Sequence, residues 1–162
     1  MIEMKKILPL ASIAIIALFN YPAWGSSIYD KLCQRENAHL VKTFSKGGKV
    51  FQTCGKNIVR TDNWTGIFIS DENYFLMFKE QTLPRQSCIM LLSAYSSNFL
   101  LPDNQIASMT FENKIDCAQR TAKKISLKAY SAPFAEGGLK MESTLNESVE
   151  SPELLVDIFC SK

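Results

Sequence analysis

Five cysteines restrict the fold of this chain more than any other feature; they are Cys33, Cys54, Cys88, Cys117 and Cys160. Disulfides persist in oxidising compartments, such as the periplasm or the cell exterior, and are rare in the cytosol. No two of these cysteines have the Cys-x-x-Cys spacing of a zinc or redox site. Because their number is odd, one thiol is left free or bonds to another chain. The sequence therefore predicts a disulfide-bonded domain and leaves the pairing open.

The first 25 residues have the three parts of a secretory signal peptide. A basic start at Lys5-Lys6 leads into an apolar run from Ile7 to Phe19, and Ala23-Trp24-Gly25 places small residues where a signal peptidase cuts. The apolar run is shorter than the ~20 residues that a membrane-spanning helix needs. We expect cleavage after Gly25. Residues 26–162 then form a single exported domain, periplasmic or extracellular in a bacterium, without stable membrane insertion.

The charge of the chain is nearly balanced, with 18 basic and 16 acidic residues and a formal net charge of +2. The mature part has one basic doublet, Lys123-Lys124, and no basic block. Nucleic-acid binding needs a denser cluster of Lys and Arg with stacking groups between them. We therefore predict that nucleic acid is not a partner.

Sequence patterns predict an α+β fold, in which one or two helices pack on an antiparallel sheet in a single disulfide-bonded domain. The first helix is expected within residues 27–44. Alternating or continuously apolar runs predict the strands; these are residues 49–53, 57–60, 66–69, 74–78, 105–111, 125–130, 139–144 and 154–159. The pair 66–69 and 74–78 forms the clearest hairpin, with a four-residue polar loop between its strands.

A second helix is predicted from about Pro84 to Phe99, because apolar residues recur there at helical spacing. Thr82 is a suitable N-cap, and Pro84 stands near the first helical position. The apolar stripe of this helix consists of Cys88, Leu91, Leu92, Tyr95 and Phe99. Cys88 would then face the core, where a disulfide could hold the helix against a neighbouring element.

Catalytic machinery is not apparent in the sequence. The single histidine, His39, lies in a predicted helix, where a lone histidine is usually a packing or surface residue. There is no Gly-x-Ser-x-Gly elbow, phosphate-binding loop or His-Glu-x-x-His motif. We therefore predict no enzymatic activity and name no catalytic residue, metal ligand or cofactor.

Aromatic residues crowd the 66–78 hairpin and the turn before it. Their ordinary role is to fill the core, but exposed aromatic side chains also mark contact surfaces. Trp64, near the turn, is the aromatic residue that we predict to lie at the surface and to contact a partner.

The order of a Gly-Gly turn, a strand, an aromatic hairpin and the segment "SCIMLLSAYSSNF" resembles the C-terminal globular domain of type IVb pilins. The resemblance covers about Gly47 to Ser131. The helix residues Leu92, Ser93, Ala94 and Phe99 match it, and Cys88 and Cys117 stand at the positions of the family's two cysteines. The chain departs from the family in lacking a prepilin leader and an assembly helix.

The resemblance implies a disulfide between Cys88 and Cys117, with partner contacts in the segment between Leu100 and Asp116, above all at Pro102-Asp103-Asn104. It implies a soluble exported interaction module, an accessory factor of a pilus, conjugation or secretion apparatus that binds another protein of that apparatus. Two alternatives stay open, a small periplasmic inhibitor or binding protein acting on a hydrolase and, less favoured, an exported hydrolase.

Overall fold

The computed structural model describes residues 27–37, 41–46, 48–69, 74–80, 87–95 and 99–160. The predicted signal peptide, residues 1–25, lies outside the described residues, as do His39 and the predicted helix start at Thr82 and Pro84. None of the helices in the described part of the chain is long and apolar enough to cross a lipid bilayer.

One antiparallel sheet of nine strands makes up most of the described part of the chain, and each strand pairs with the next one in sequence. The strands are β1 (Val41–Lys46), β2 (Lys49–Cys54), β3 (Ile58–Thr61), β4 (Trp64–Ile69), β5 (Tyr74–Lys79), β6 (Ser87–Ala94), β7 (Ser108–Asp116), β8 (Thr121–Tyr130) and β9 (Leu139–Ser148). Two short helices flank this sheet, α1 (Ile28–Arg35) and α2 (Glu153–Cys160). The prediction of an α+β fold is therefore wrong, and the protein is mainly β.

Tight turns explain why consecutive strands pair in order. The β1–β2 turn contains Gly48 at φ +76°, and the β2–β3 turn begins with Gly55 at φ +62°. The β3–β4 turn has only Asp62 and Asn63 between the paired residues Thr61 and Trp64. Glycine and aspartate tolerate the left-handed backbone that such turns need. Connections this short can join only antiparallel neighbours.

The predicted helix from Pro84 to Phe99 is instead strand β6 over its described part, Ser87–Ala94. Both faces of this strand bury side chains: Cys88 is buried on one side, and Leu91 and Ser93 are buried on the other. A strand in the middle of a sheet therefore needs apolar or small residues at nearly every position. Such a run also satisfies the spacing of a helical stripe, which is why periodicity favoured the wrong element.

The C-terminal element was also predicted wrongly, because residues 154–159 belong to helix α2 rather than to a closing strand. Leu155, Val156 and Ile158 are buried by this helix against the sheet. At the other end of the chain, α1 stops at Arg35 and β1 begins at Val41, so the predicted helix over residues 27–44 is too long.

The two sheet faces carry different cores. On the helix face, α1 and α2 cover a core of Ile28, Tyr29, Leu32, Cys54, Ile58, Phe78, Cys88, Ile115, Ala122, Leu155, Val156 and Ile158. The aromatic face carries a core of Phe51, Val59, Phe75, Met77, Leu91 and Phe134. Phe134 belongs to a 3-10 turn, Pro133–Ala135, whose backbone N–H groups donate to the buried Ser93 and Ser108 hydroxyls. This turn closes the aromatic core without a disulfide.

Each of the two disulfides attaches one helix to the sheet. Cys33 of α1 bonds to Cys54 at the end of β2, with their Cα atoms 5.9 Å apart. Cys117, after β7, bonds to Cys160 at the end of α2, with their Cα atoms 5.5 Å apart. Both disulfides are compatible with an exported protein. Cys88 is a buried free thiol.

The expected disulfide between Cys88 and Cys117 is thus absent. Cys88 stands opposite Asn113 in the β6–β7 ladder, and Cys117 follows four residues later along the chain. At ~3.4 Å per residue this offset is about 14 Å. A disulfide needs Cα atoms within about 7 Å, so these two strands cannot bring the pair together.

Candidate functional site

The residues that the sequence predicts for partner binding lie on different elements and do not form one site. Trp64 begins β4 and packs, partly buried, against the aromatic core. Pro102, Asp103 and Asn104 form an exposed 3-10 turn between β6 and β7. Residues 108–116 are strand β7 and not part of an open loop.

The loop that holds this 3-10 turn is closed by backbone hydrogen bonds rather than by a disulfide. Leu101 N–H donates to the Ile106 carbonyl at 2.9 Å, and Ile106 N–H donates back to Leu101 at 3.1 Å. Asn104 N–H donates to Leu101 and Gln105 N–H donates to Pro102, each at 3.1 Å. The exposed residues 101–105 are therefore held in one conformation.

The helix face carries an apolar surface beyond the reach of the helices. Eight-residue helices are about 12 Å long, whereas strands of eight to ten residues, such as β6, β8 and β9, run about 27–34 Å. The helices pack where Phe78, Cys88, Ile115 and Ala122 lie, at one end of this face. The other end of the same strands has no described helix over it.

A row of apolar residues crosses five strands in this uncovered part. Its members are successive partners from β5 to β9: Leu76, Leu92, Met109, Ala129 and Met141. Leu76, Leu92 and Met109 are partly exposed, Ala129 is fully buried, and Met141 is 44% exposed. Residues that pair directly in an antiparallel ladder lie on one face of the sheet. The five residues of the row therefore share one face of the sheet, and four of them are accessible there.

A second row runs beside the first, on the side of the helices. Met90, Phe111 and Leu127 are successive partners on β6, β7 and β8, and all three are partly exposed. Met90 also packs against the core under the helices, so the second row joins the covered and uncovered parts of the face. We call the eight residues of both rows the apolar strip.

The dimensions of the apolar strip follow from sheet geometry. Four steps between strands span about 19 Å, and the two rows lie about 7 Å apart. The second row crosses only three strands, so with a margin of about 4 Å for the side chains the strip covers roughly 330 Å². This is within the range of the largest apolar patch on a typical monomer, and such patches often mark a functional surface.

Exposed apolar groups from the β6–β7 loop extend one end of the strip. The Phe99 ring contacts the Tyr74 ring at a centroid distance of 6.0 Å, and Tyr74 stands two residues before Leu76 on the same face of β5. Phe99 is 45% exposed and Leu101 is 40% exposed. The closed loop thus stands at the edge of the strip.

The strip contains no charged residue, and charge begins only at its borders. The Lys124 ammonium lies 5.5 Å from the centre of the Phe111 ring. On the opposite face of the same strands, Lys128 pairs with Glu142 at 2.9 Å. The two faces of β7–β9 therefore differ sharply in polarity.

Cys88 lies under the helices and not in the strip. Its side chain is 2% exposed, and burial raises the pKa of the thiol to about 12, against a smaller opposing effect of the Asn113 side chain. A buried thiol with a raised pKa is a poor nucleophile. Among the described residues, no cluster of three His, Cys, Asp or Glu side chains could hold a metal ion.

Part of the strip was visible in the sequence as strand alternation. The predicted strands 105–111 and 125–130 contain Met109, Phe111, Leu127 and Ala129. Alternation alone does not show which face of a strand is covered, because coverage depends on elements distant in the chain. The predicted contact segment, Leu100 to Asp116, contains Met109 and Phe111, whereas Leu127 and Ala129 were assigned only to a half-buried strand.

No protein-family model, characterised protein or solved structure matches this chain. The resemblance to type IVb pilins depended on a helix bearing Cys88 and on its disulfide to Cys117. Over the described residues, Cys88 stands on a strand and Cys117 bonds to Cys160. The fold and the apolar strip are therefore the observations from which a function can be argued.

Proposed function

We propose that this protein is an exported, non-catalytic interaction module that binds another protein through the apolar strip. The observation that carries the proposal is the uncharged, partly exposed strip on the uncovered part of the helix face. Membership of a pilus, conjugation or secretion apparatus is a narrower prediction that the strip does not address.

The size of the strip bears on the strength of such binding. Covering roughly 330 Å² of apolar surface on each partner contributes about 16 kcal/mol in gross terms, at ~25 cal/mol per Å². Lost rotational and translational freedom costs about 4–15 kcal/mol, and ordering of side chains costs more. The strip is therefore large enough to drive association, and polar contacts at its borders would set the specificity.

The decisive test is site-specific photo-crosslinking in the organism that makes the protein. A photoreactive amino acid replaces Met141, which is exposed at the edge of the strip, and a matched control replaces Thr144, which is exposed on the opposite face of β9. We expect a protein adduct from position 141 and none from position 144. The captured protein, identified by mass and then purified, should bind wild type and Thr144→Glu but not Met141→Glu. Absence of any adduct from position 141 would overturn the proposal.

The second candidate is an inhibitor or binding protein that acts on a hydrolase through the β6–β7 loop. The backbone hydrogen bonds that close residues 101–106 favour it, because a loop already held in one conformation loses little freedom on binding. An Asp103→Ala/Asn104→Ala variant separates the two candidates. Loss of partner binding in that variant, with full binding by Met141→Glu, would support the loop and count against the strip.

A further inference from the structure

We infer that the occupant of the apolar strip is the same strip of a second copy of this chain, so that the protein forms a face-to-face dimer. The inference rests on the proposed function and specifies the partner. Three observations carry it: the absence of charge from the strip, its area, and the character of the neighbouring edge strand.

The absence of charge favours pairing of like with like. Cores of homodimer interfaces are more apolar than other interfaces and contain few charged residues. If two strips met, they would bury no charged side chain, because Lys124 stands at the border, where its ammonium can stay in water beside Phe111. Nothing in the strip selects an acidic or a basic partner.

The area agrees with the requirement of a stable dimer. A standard interface buries about 800 Å² on each partner, of which roughly 60% is apolar. The strip supplies roughly 330 Å² of that apolar share. The exposed rings and side chains of Phe99 and Leu101 add apolar surface at one end.

Two sheet faces are able to pack in this way, since sheets stack about 10 Å apart with interdigitating side chains. Three of the eight strip residues are methionines, namely Met90, Met109 and Met141. Methionine adapts its shape to irregular gaps more readily than branched residues do. A surface that must fit its own copy across a two-fold axis gains from this adaptability.

Pairing of edge strands is the alternative route to a dimer, and the sequence and geometry of edge strand β9 disfavour it. This edge strand carries Lys140, Glu142 and Glu147. Its pairing with β8 also shifts register twice, between Lys124 and Ser126 and between Ala129 and Tyr130. Charges and bulges on an edge strand disfavour pairing with another sheet. Self-association is therefore assigned to the face and not to the β9 edge beside it.

Sedimentation velocity of the full chain, expressed for export and purified with both disulfides closed, tests this inference. Between about 1 and 300 µM we expect a monomer–dimer equilibrium with a micromolar dissociation constant. Met141→Glu and Met109→Glu should weaken the dimer at least about tenfold, whereas Thr144→Glu should leave it unchanged. Circular dichroism and protection of the Cys88 thiol establish that each variant is folded.

A wild-type protein that stays monomeric over this range would overturn the dimer, and so would equal weakening by Thr144→Glu, which would indicate edge pairing. Photo-crosslinking from position 141 distinguishes this failure from failure of the proposed function. A monomer that still captures a different protein contradicts the second copy alone. A monomer that captures nothing contradicts both.

Discussion

The covered and uncovered halves of the helix face are formed by the same strands, yet side chains are buried in the first and partly exposed in the second. Strand β6 places Cys88 under the helices and Leu92 in the apolar strip, four residues apart on one face. Strand β7 likewise passes from buried Ile115 to partly exposed Met109. Both halves are apolar. What separates them is whether an element from elsewhere in the chain packs on top.

The covered half depends on attachments distant in sequence. The Glu80 carboxylate, after β5, accepts the Ile28 and Tyr29 N–H groups at 3.2 Å and so holds the start of α1. The Lys31 ammonium donates to the Ile158 carbonyl at 2.8 Å and joins α1 to α2. The comparison teaches that apolar spacing in a strand predicts which side chains share a face, but not whether that face is buried.

The largest expected effect comes from releasing α2, which would remove part of the difference between the two halves. The double variant Cys117→Ser/Cys160→Ser opens a disulfide with a sequence separation of 43 residues. By the chain-entropy relation we expect the free energy of unfolding to fall by about 4 kcal/mol. Urea unfolding, followed by circular dichroism, measures the change.

The other disulfide is the control for this prediction. Cys33→Ser/Cys54→Ser opens a separation of 21 residues, so the expected loss is smaller, about 3 kcal/mol. An α2-releasing variant as stable as wild type would show that the disulfide does not hold the covered half together.

An intermediate effect is expected from two neighbouring leucines of β6 that point to opposite faces. Leu91 is fully buried in the aromatic core, whereas Leu92 is a partly exposed residue of the strip. Leu91→Ala should lower the free energy of unfolding by about 3 kcal/mol, because it leaves a cavity, and Leu92→Ala by about 1 kcal/mol or less. Denaturant unfolding at low protein concentration measures both values without a contribution from dimerisation.

These two variants remove the same atoms, so each serves as the control of the other. Equal losses would mean that position 92 is buried as deeply as position 91. The strip would then not be an open surface, and the contrast between the two halves would disappear.

Thiol labelling disturbs the protein least and directly compares the accessibility of the covered half with that of the strip. Because burial favours the neutral thiol and raises its pKa to about 12, native Cys88 should be nearly inert at pH 8 and gain reactivity only as the pH rises toward 12. Because the pKa of this thiol is higher in the folded state than in the unfolded state, its contribution to stability is complete below about pH 9. The contribution declines as the pH rises from about 9 toward 12. A Leu92→Cys thiol in a Cys88→Ala background should react on the order of 10³ times faster with iodoacetamide.

Mass spectrometry of native and urea-unfolded samples follows this labelling. In urea both thiols should react at similar rates, which shows that the difference belongs to the folded state. Rapid labelling of native Cys88 would place it outside the covered half.

Much of the sheet could be predicted from the sequence, and the two wrongly predicted elements have a common cause. The 66–78 hairpin and the strands near 49–53, 57–60, 125–130 and 139–144 are confirmed by β2 to β5, β8 and β9. The segment containing Leu91 and Leu92 was predicted as a helix and α2 as a strand. Both are short runs that are apolar at almost every position, and periodicity cannot distinguish helix from strand in such a run.

The sequence by itself determined the local features of this protein: five cysteines, most of the strands, the tight turns that join them, and an alternation that groups Met109 with Phe111 and Leu127 with Ala129. Only the tertiary structure decided that Cys117 bonds to Cys160 while Cys88 stays reduced. It also decided that the helices cover one end of a face and leave the strip open. Turns and alternation depend on neighbouring residues, whereas disulfide pairing and coverage depend on distances between segments that meet only after the sheet has formed.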